Sequence, residues 1–315
     1  MRWAPCLLAV GILTACAGDA ARGADAGPPD AGLPGYTVQV GPLPVSAGTQ
    51  AVYCTYLHLG NDQPIDVVGF ASSQTQGGHH LILVINAADH PDAPATPCSQ
   101  GEALDPRKGS MIYASQVAQD SQWFPPQVGM HLPAHASLML QTHYIDATPN
   151  DLQVSSSVTL LAGQPGSVQI PAAPLLFYDQ SLTVPPGTSS ATSSCIVQTA
   201  DPIDVFMVAG HMHSHGTSFE LDFTDLDGGT QQIYQTSQWD SPPEKDFTPP
   251  LRAQPGSTFT WTCSYFNPDG GTIDQPDEMC VTGGAFYPAP QGSLVCVADG
   301  TTGCFCANGL VPDAG

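Results

Sequence analysis

The chain has 315 residues, of which 28 are acidic and only 6 basic, giving a formal net charge of −22. That balance excludes a nucleic-acid partner, because counterion release needs clustered Lys and Arg. It would also repel an anionic membrane surface, so any membrane tie must be covalent. Charged residues make up 11% of the chain, against 32 Gly and 31 Pro, which suits short strands joined by tight turns better than long salt-bridged helices.

In chain order, the N-terminus reads as a targeting segment. Arg2 supplies a short basic start, and Leu7 to Leu13 is an apolar run too short to span a bilayer. Leu13-Thr14-Ala15-Cys16 resembles a bacterial lipobox, whose Cys is acylated; a plain secretory signal with a chance Cys is the alternative. Residues 1–16 are expected to be a lipoprotein signal lipidated at Cys16, and 17–35 a flexible Ala/Gly/Pro/Asp tether. Ala17 stands where Asp would favour inner-membrane retention. The expected location is therefore the outer membrane of a Gram-negative bacterium, on its periplasmic or cell-surface side, held only through the lipid. Apart from Cys6 and Cys16, eight cysteines remain, an even count that in an exported chain implies four disulfides.

From residue 36 onward no stretch carries apolar residues at helical spacing. Short β-branched runs recur instead at 36–40, 66–70, 81–85, 137–144, 155–161, 167–170, 204–208, 218–222, 258–265 and 294–297, separated by Pro-Gly, Asp-Gly and Gly-Gly turns. Regular short strands predict an all-β chain of antiparallel β-sandwiches. The Pro/Ala stretch 170–174 interrupts the pattern, which places two tandem domains at 36–172 and 173–315.

Ten histidines carry the chemical signal. His79-His80 sits just before the apolar run 81–85, His143 ends LMLQTHY, and His211, His213 and His215 alternate in GHMHSHG. If that alternation lies on one strand, all three imidazoles share a face and favour a metal or protons. A vicinal pair in a regular strand splits across two faces, so two ligands at 79–80 need a bulge or a strand end, and Gly77-Gly78 supplies the irregularity. His131 and His135 are runners-up, and His58 and His90 read as surface or satisfied residues.

Four segments in order, His79-His80 with its aliphatic run, LQTHY around His143, HMH at 211–213, and Asp277-Glu278-Met279-Cys280, resemble the copper type II, ascorbate-dependent monooxygenases. This is the family of peptidylglycine α-hydroxylating monooxygenase and dopamine β-monooxygenase. The resemblance implies two separate copper ions facing a cleft between jelly-roll-like domains. His79, His80 and His143 would hold an electron-transfer copper, and His211, His213 and Met279 the copper that activates O₂. Imidazoles suit both copper oxidation states, and a thioether favours Cu(I). The resemblance also implies a Cys54–Cys98 disulfide bracketing the His pair and a Cys263–Cys280 disulfide holding the Met279 strand. Cys195 would pair with Cys296, Cys304 or Cys306.

The implied activity is hydroxylation of a C–H bond in a small molecule, with O₂ and a reductant such as ascorbate as co-substrates. Gln141 matches a Gln that the family carries; it would orient the copper or aid electron passage, or be an ordinary strand position. His215 is open between a group behind the ligands, an extra ligand and a proton relay. Peptide-amidating members grip a carboxylate with Arg, Asn and Tyr where this chain has Ala209, Val281 and Gly283, so peptide amidation is not expected. The competing reading is a non-catalytic, exported lipoprotein that binds or buffers copper. Oligomeric state is not legible.

Overall fold

The computed structural model describes residues 33–105, 107–290, 292–298 and, for the backbone alone, 304–308. The expected signal, tether start and Cys16 lie outside the described residues, as does most of the C-terminal tail.

The described chain is all-β, with one short 3₁₀ turn at Gln100–Leu104 and no α-helix among the described residues. Alternation makes the strands. In Leu152–Ala162 the buried positions are Val154, Ser156, Val158, Leu160 and Ala162, and in Thr258–Asn267 they begin with Phe259, Trp261, Cys263 and Tyr265. A period of two puts one face of each strand inside.

Four main sheets result. The first orders Gly35–Val45, Leu152–Ala162, Ile65–Gln74, Val128–Leu132 and Ile170–Pro171, with Gln119–Trp123 branching from Ile65–Gln74. The second orders Ala93–Pro97, Gln50–His58, Ser137–Ile145, Gly78–Asn86 and Gly109–Ser115. These two share a core containing Val67, Phe70, Leu81, Leu83, Leu138, Leu140, Val158 and Leu160. Beyond 172, a six-stranded sheet contains Ile203–His211, Val281–Tyr287 and Ala173–Asp179, and a four-stranded sheet contains Gly187–Ile196, Thr258–Asn267 and Gly216–Thr224. Their core holds Phe177, Val205, Val208, Phe219, Phe259 and the fully buried Trp261.

The halves meet through apolar side chains. Phe206 and Ala285 of the later six-stranded sheet belong to the first core, and the Phe124 and Phe206 rings lie 5.4 Å apart. On the second sheet, His80 and His143 lie on the face opposite the one that sends Leu81, Leu83, Leu138 and Leu140 into this core.

Three disulfides close the described structure: Cys54–Cys98, Cys263–Cys280 and Cys195–Cys296. The first two are the expected pairs, and the third selects Cys296 from the three candidates for Cys195. Cys304 and Cys306 lie on a short strand, Cys304–Asn308, whose side chains are outside the described set.

Candidate metal centre

The His79-His80 step sits on an irregular ladder. Gly78 is opposite Tyr144 and His80 is opposite His143, so His79 is the extra residue of a bulge. The turn before it needs Gly77, whose φ of 90° is costly for any residue with a Cβ. The irregularity expected from Gly77-Gly78 is thus a bulge, and it turns both imidazoles to one side. Ligand-capable atoms of His79, His80 and His143 lie within 4.8 Å of one another, and all three residues are buried. Ring centroids are 5.0–5.1 Å apart for the three pairs.

The second set is presented differently. The strand Ile203–His211 ends at His211, and His213 to Gly216 form a tight turn closed by Gly216 N–H donating to His213 O at 3.0 Å. The three alternating histidines therefore do not share a strand face, which corrects the sequence reading. The turn begins inside the motif because Gly216 must start the return strand against Met212, where a Cβ would sit 2.7 Å from the Met212 side chain. His211 and His213 stay together, with centroids 4.9 Å apart, while His215 turns toward Glu278 and Asp269, at 3.6 and 3.7 Å.

The two sets, whose spacing the sequence does not fix, are neighbours. His80 and His211 rings are 5.7 Å apart, and His79 and His213 rings 6.3 Å. Five imidazoles thus form one cluster, drawn from both halves of the chain.

Hydrogen bonds to acceptors set the tautomers of three of them. His143 Nε2 donates to Gln50 Oε1 at 3.0 Å, His211 Nδ1 to Gln116 Oε1 at 2.8 Å, and His213 Nδ1 to the Asp277 carbonyl at 2.9 Å. Each leaves the opposite ring nitrogen with a free lone pair. His143 Nδ1, His213 Nε2 and His80 Nδ1 are buried without a protein partner. Buried polar atoms are ordinarily paired, and three orphaned imidazole nitrogens in one cluster fit a metal.

Electrostatics agree. Burial foremost, then the His213 imidazole, lowers His79 to about 4 despite Asp240. Burial, with His79 and His213, lowers His143 to about 3. His80 and His211 are held well below the ordinary imidazole value, by burial and then by their imidazole neighbours. These rings are neutral at physiological pH, the form that ligates.

Glu278, read from the sequence only as a neighbour of Met279, has a role of its own. Fully buried, its carboxylate accepts from the backbone N–H groups of His213 at 2.6 Å, His215 at 3.1 Å and Met279 at 2.9 Å. One side chain thus pins the histidine turn to the Met279 segment. Tyr265 Oη donates to the Met279 carbonyl at 2.9 Å, and Cys280 is bridged to Cys263 on the Tyr265 strand. Met279 is buried, and its apolar neighbours are Leu176, Tyr178 and Val281. Trp239, also unforeseen, is half-buried with its ring 5.8 Å from His79.

The remaining histidines lie apart. His131 bonds Asp66 at 3.1 Å, His135 faces Asp62, His58 is bracketed by Asp89 and Asp92 at 2.7 Å each, and His90 stacks on Tyr56. Gln141, fully buried, donates to the Ser99 carbonyl at 3.0 Å and lies 3.7 Å from the Cys54 sulfur, so it braces the disulfide loop.

No family model matches the sequence, and no curated protein matches it. Among solved structures, the chain is similar to PNGase F, a glycosylasparaginase from Flavobacterium meningosepticum, at 8% identity over 80% of this chain and 96% of that one, with a TM-score of 0.36. It is also similar to a chain of Sulfolobus turreted icosahedral virus, at 10% identity over 80% of this chain and a TM-score of 0.27, where it spans 56% of the viral chain. The PBSX exported protein XepA matches at 10% identity over 79% and 86% of the two chains, with a TM-score of 0.21. Values this low assign no family and no function. The resemblance to copper monooxygenases rests on the ligand-bearing segments themselves.

Proposed function

We propose that the chain is a copper-dependent monooxygenase that hydroxylates a C–H bond of a small molecule with O₂ and a reductant such as ascorbate. The observation that carries this reading is the cluster of five imidazoles, four of them buried, with ring nitrogens left free of the protein, assembled from both halves of the chain. A protein that only buffers copper needs one good site, and His79, His80 and His143 already supply it.

In this reading His79, His80 and His143 would hold one copper, and His211, His213 and Met279 the other. Copper, when bound, would supply the redox chemistry that O₂ needs. Overall, two electrons and two protons enter with O₂; one oxygen atom goes to the product and the other leaves as water. The protein's part is preorganisation. Gln50, Gln116 and the Asp277 carbonyl fix which imidazole nitrogen faces inward. Glu278 holds the His213 turn against the Met279 segment, and burial keeps protons off the His79, His80, His143 and His211 rings. The two face-to-face sheet pairs are read as tandem jelly-roll-like sandwiches at 36–172 and 173–315, meeting at the cluster. Lipidation at Cys16 and display at the outer membrane belong to the same proposal.

Anaerobic reconstitution with copper, then ascorbate and O₂ with a substrate panel, tests it. Two coppers per chain and substrate-dependent O₂ uptake that disappears in Met279→Ala are expected. Two coppers with no coupled uptake on any substrate would instead favour the copper-binding lipoprotein.

A further inference from the structure

We infer that a small apolar cavity one strand repeat from His211 seats the substrate, and that it takes a compact branched-alkyl group on a molecule without a carboxylate. The word substrate rests on the monooxygenase reading above; the ligand chemistry rests on the cavity.

The cavity measures about 70 Å³ and lies where the two halves meet. Met111, Phe124 and Met130 line it from the earlier half, and Met207, Ala209 and Gly283 from the later half. Ala209 and Gly283 are direct cross-strand partners, and the next pair on that face is His211 with Val281. Side chains two apart on a strand share a face about 7 Å apart, so the cavity opens one strand repeat from the imidazole cluster. Small residues create it: a Cβ at Gly283 would meet nothing within 4 Å. The space is therefore built into the strand pair rather than left by poor packing around a large side chain.

Size and lining select the occupant. A cavity of about 150 Å³ admits a benzene ring, and this one is about half as large, which suits a branched alkyl group rather than an aromatic ring. Three methionine side chains offer an adaptable apolar wall. Glu244 is the charged group on the lining, and it accepts from Gln122 Nε2 at 2.5 Å. A second carboxylate beside it would meet like charge in a largely apolar site with no lining Arg or Lys to offset it.

The test uses the full chain, labelled at its methionine methyl groups, with isobutanol as probe and isobutyrate as its anionic counterpart. Saturable shifts of the Met111, Met130 and Met207 methyl signals with isobutanol are expected, with isobutyrate at least tenfold weaker. Gly283→Val fills the space on a strand that tolerates β-branched residues and is expected to weaken isobutanol at least tenfold; Ala209→Val, on the partner strand, provides a second filling. An unchanged melting temperature shows that each variant is folded. Non-saturating shifts, equal binding of the two probes, or undiminished binding in both folded variants would overturn the site. A chain that binds isobutanol but takes no copper would overturn the oxygenase reading and leave the alkyl site. Two coppers without isobutanol binding would do the reverse.

Discussion

The two histidine sets reach one cluster by different routes. His80 and His143 are register partners in the middle of a sheet, and His79 joins them through a bulge, so the first set is held by the ladder itself. His211 closes a strand and His213 stands in a turn, so the second set depends on a carboxylate, a disulfide and a tyrosine contributed by segments more than 45 residues later. The first set is therefore rigid by local construction, and the second is rigid only while distant struts hold. Equivalent ligands in a formula can thus have unequal mechanical support.

Removing the strut should expose that inequality most strongly. Glu278→Ala leaves three N–H groups, two of them buried, without their acceptor, a loss of about 3–5 kcal/mol in stability. Metal binding at His211 and His213 is expected to weaken by at least about 100-fold, while the His79/His80/His143 metal persists. Loss of both metals together, measured by metal analysis and denaturation, would show that the sets are mechanically one.

Acid should act next. Folded imidazoles held below the ordinary value stay neutral while the unfolded chain takes up protons, so the metal-free protein loses stability as pH falls below about 6.5. For His79 the loss runs down to about 4, and for His143 to about 3. Each contributes up to about 1.4 kcal/mol per pH unit in that window. Denaturation at stepped pH should show this acid limb flattening in His143→Phe; an unchanged limb would place the acid sensitivity elsewhere.

The smallest expected effect compares the orienting amides. Gln50→Ala and Gln116→Ala free the tautomers of His143 and His211, and each should weaken copper about tenfold at its own set only. Titration of each variant with Cu(I) under competition reads this directly, and equal weakening at both sets would merge them.

Local geometry was legible in the sequence, and long-range support was not. The glycine pair announced the bulge because a positive φ is a local requirement, and the strand alternation announced an all-β chain. Two disulfides followed from the resemblance, and the Cys195 partner was narrowed to three. GHMHSHG misled because period-two spacing looks the same in a strand as in a strand end followed by a turn. Gln50 and Gln116 lie 93 and 95 residues from the imidazoles they orient, and Glu278 lies 65 from His213. No spacing rule links such residues, since only the packed sheets bring them together. The neighbouring placement of the two sets has the same origin.

Trp239 adds a practical consequence. Among the described tryptophans, it is the one whose ring contacts a cluster imidazole, at 5.8 Å from His79, whereas Trp261 is sealed in the later core. An indole so close to a paramagnetic ion loses its emission, so ultraviolet fluorescence would register filling of the His79 side in real time. Difference spectra against Trp239→Phe would turn this one aromatic neighbour into an optical gauge for the first set.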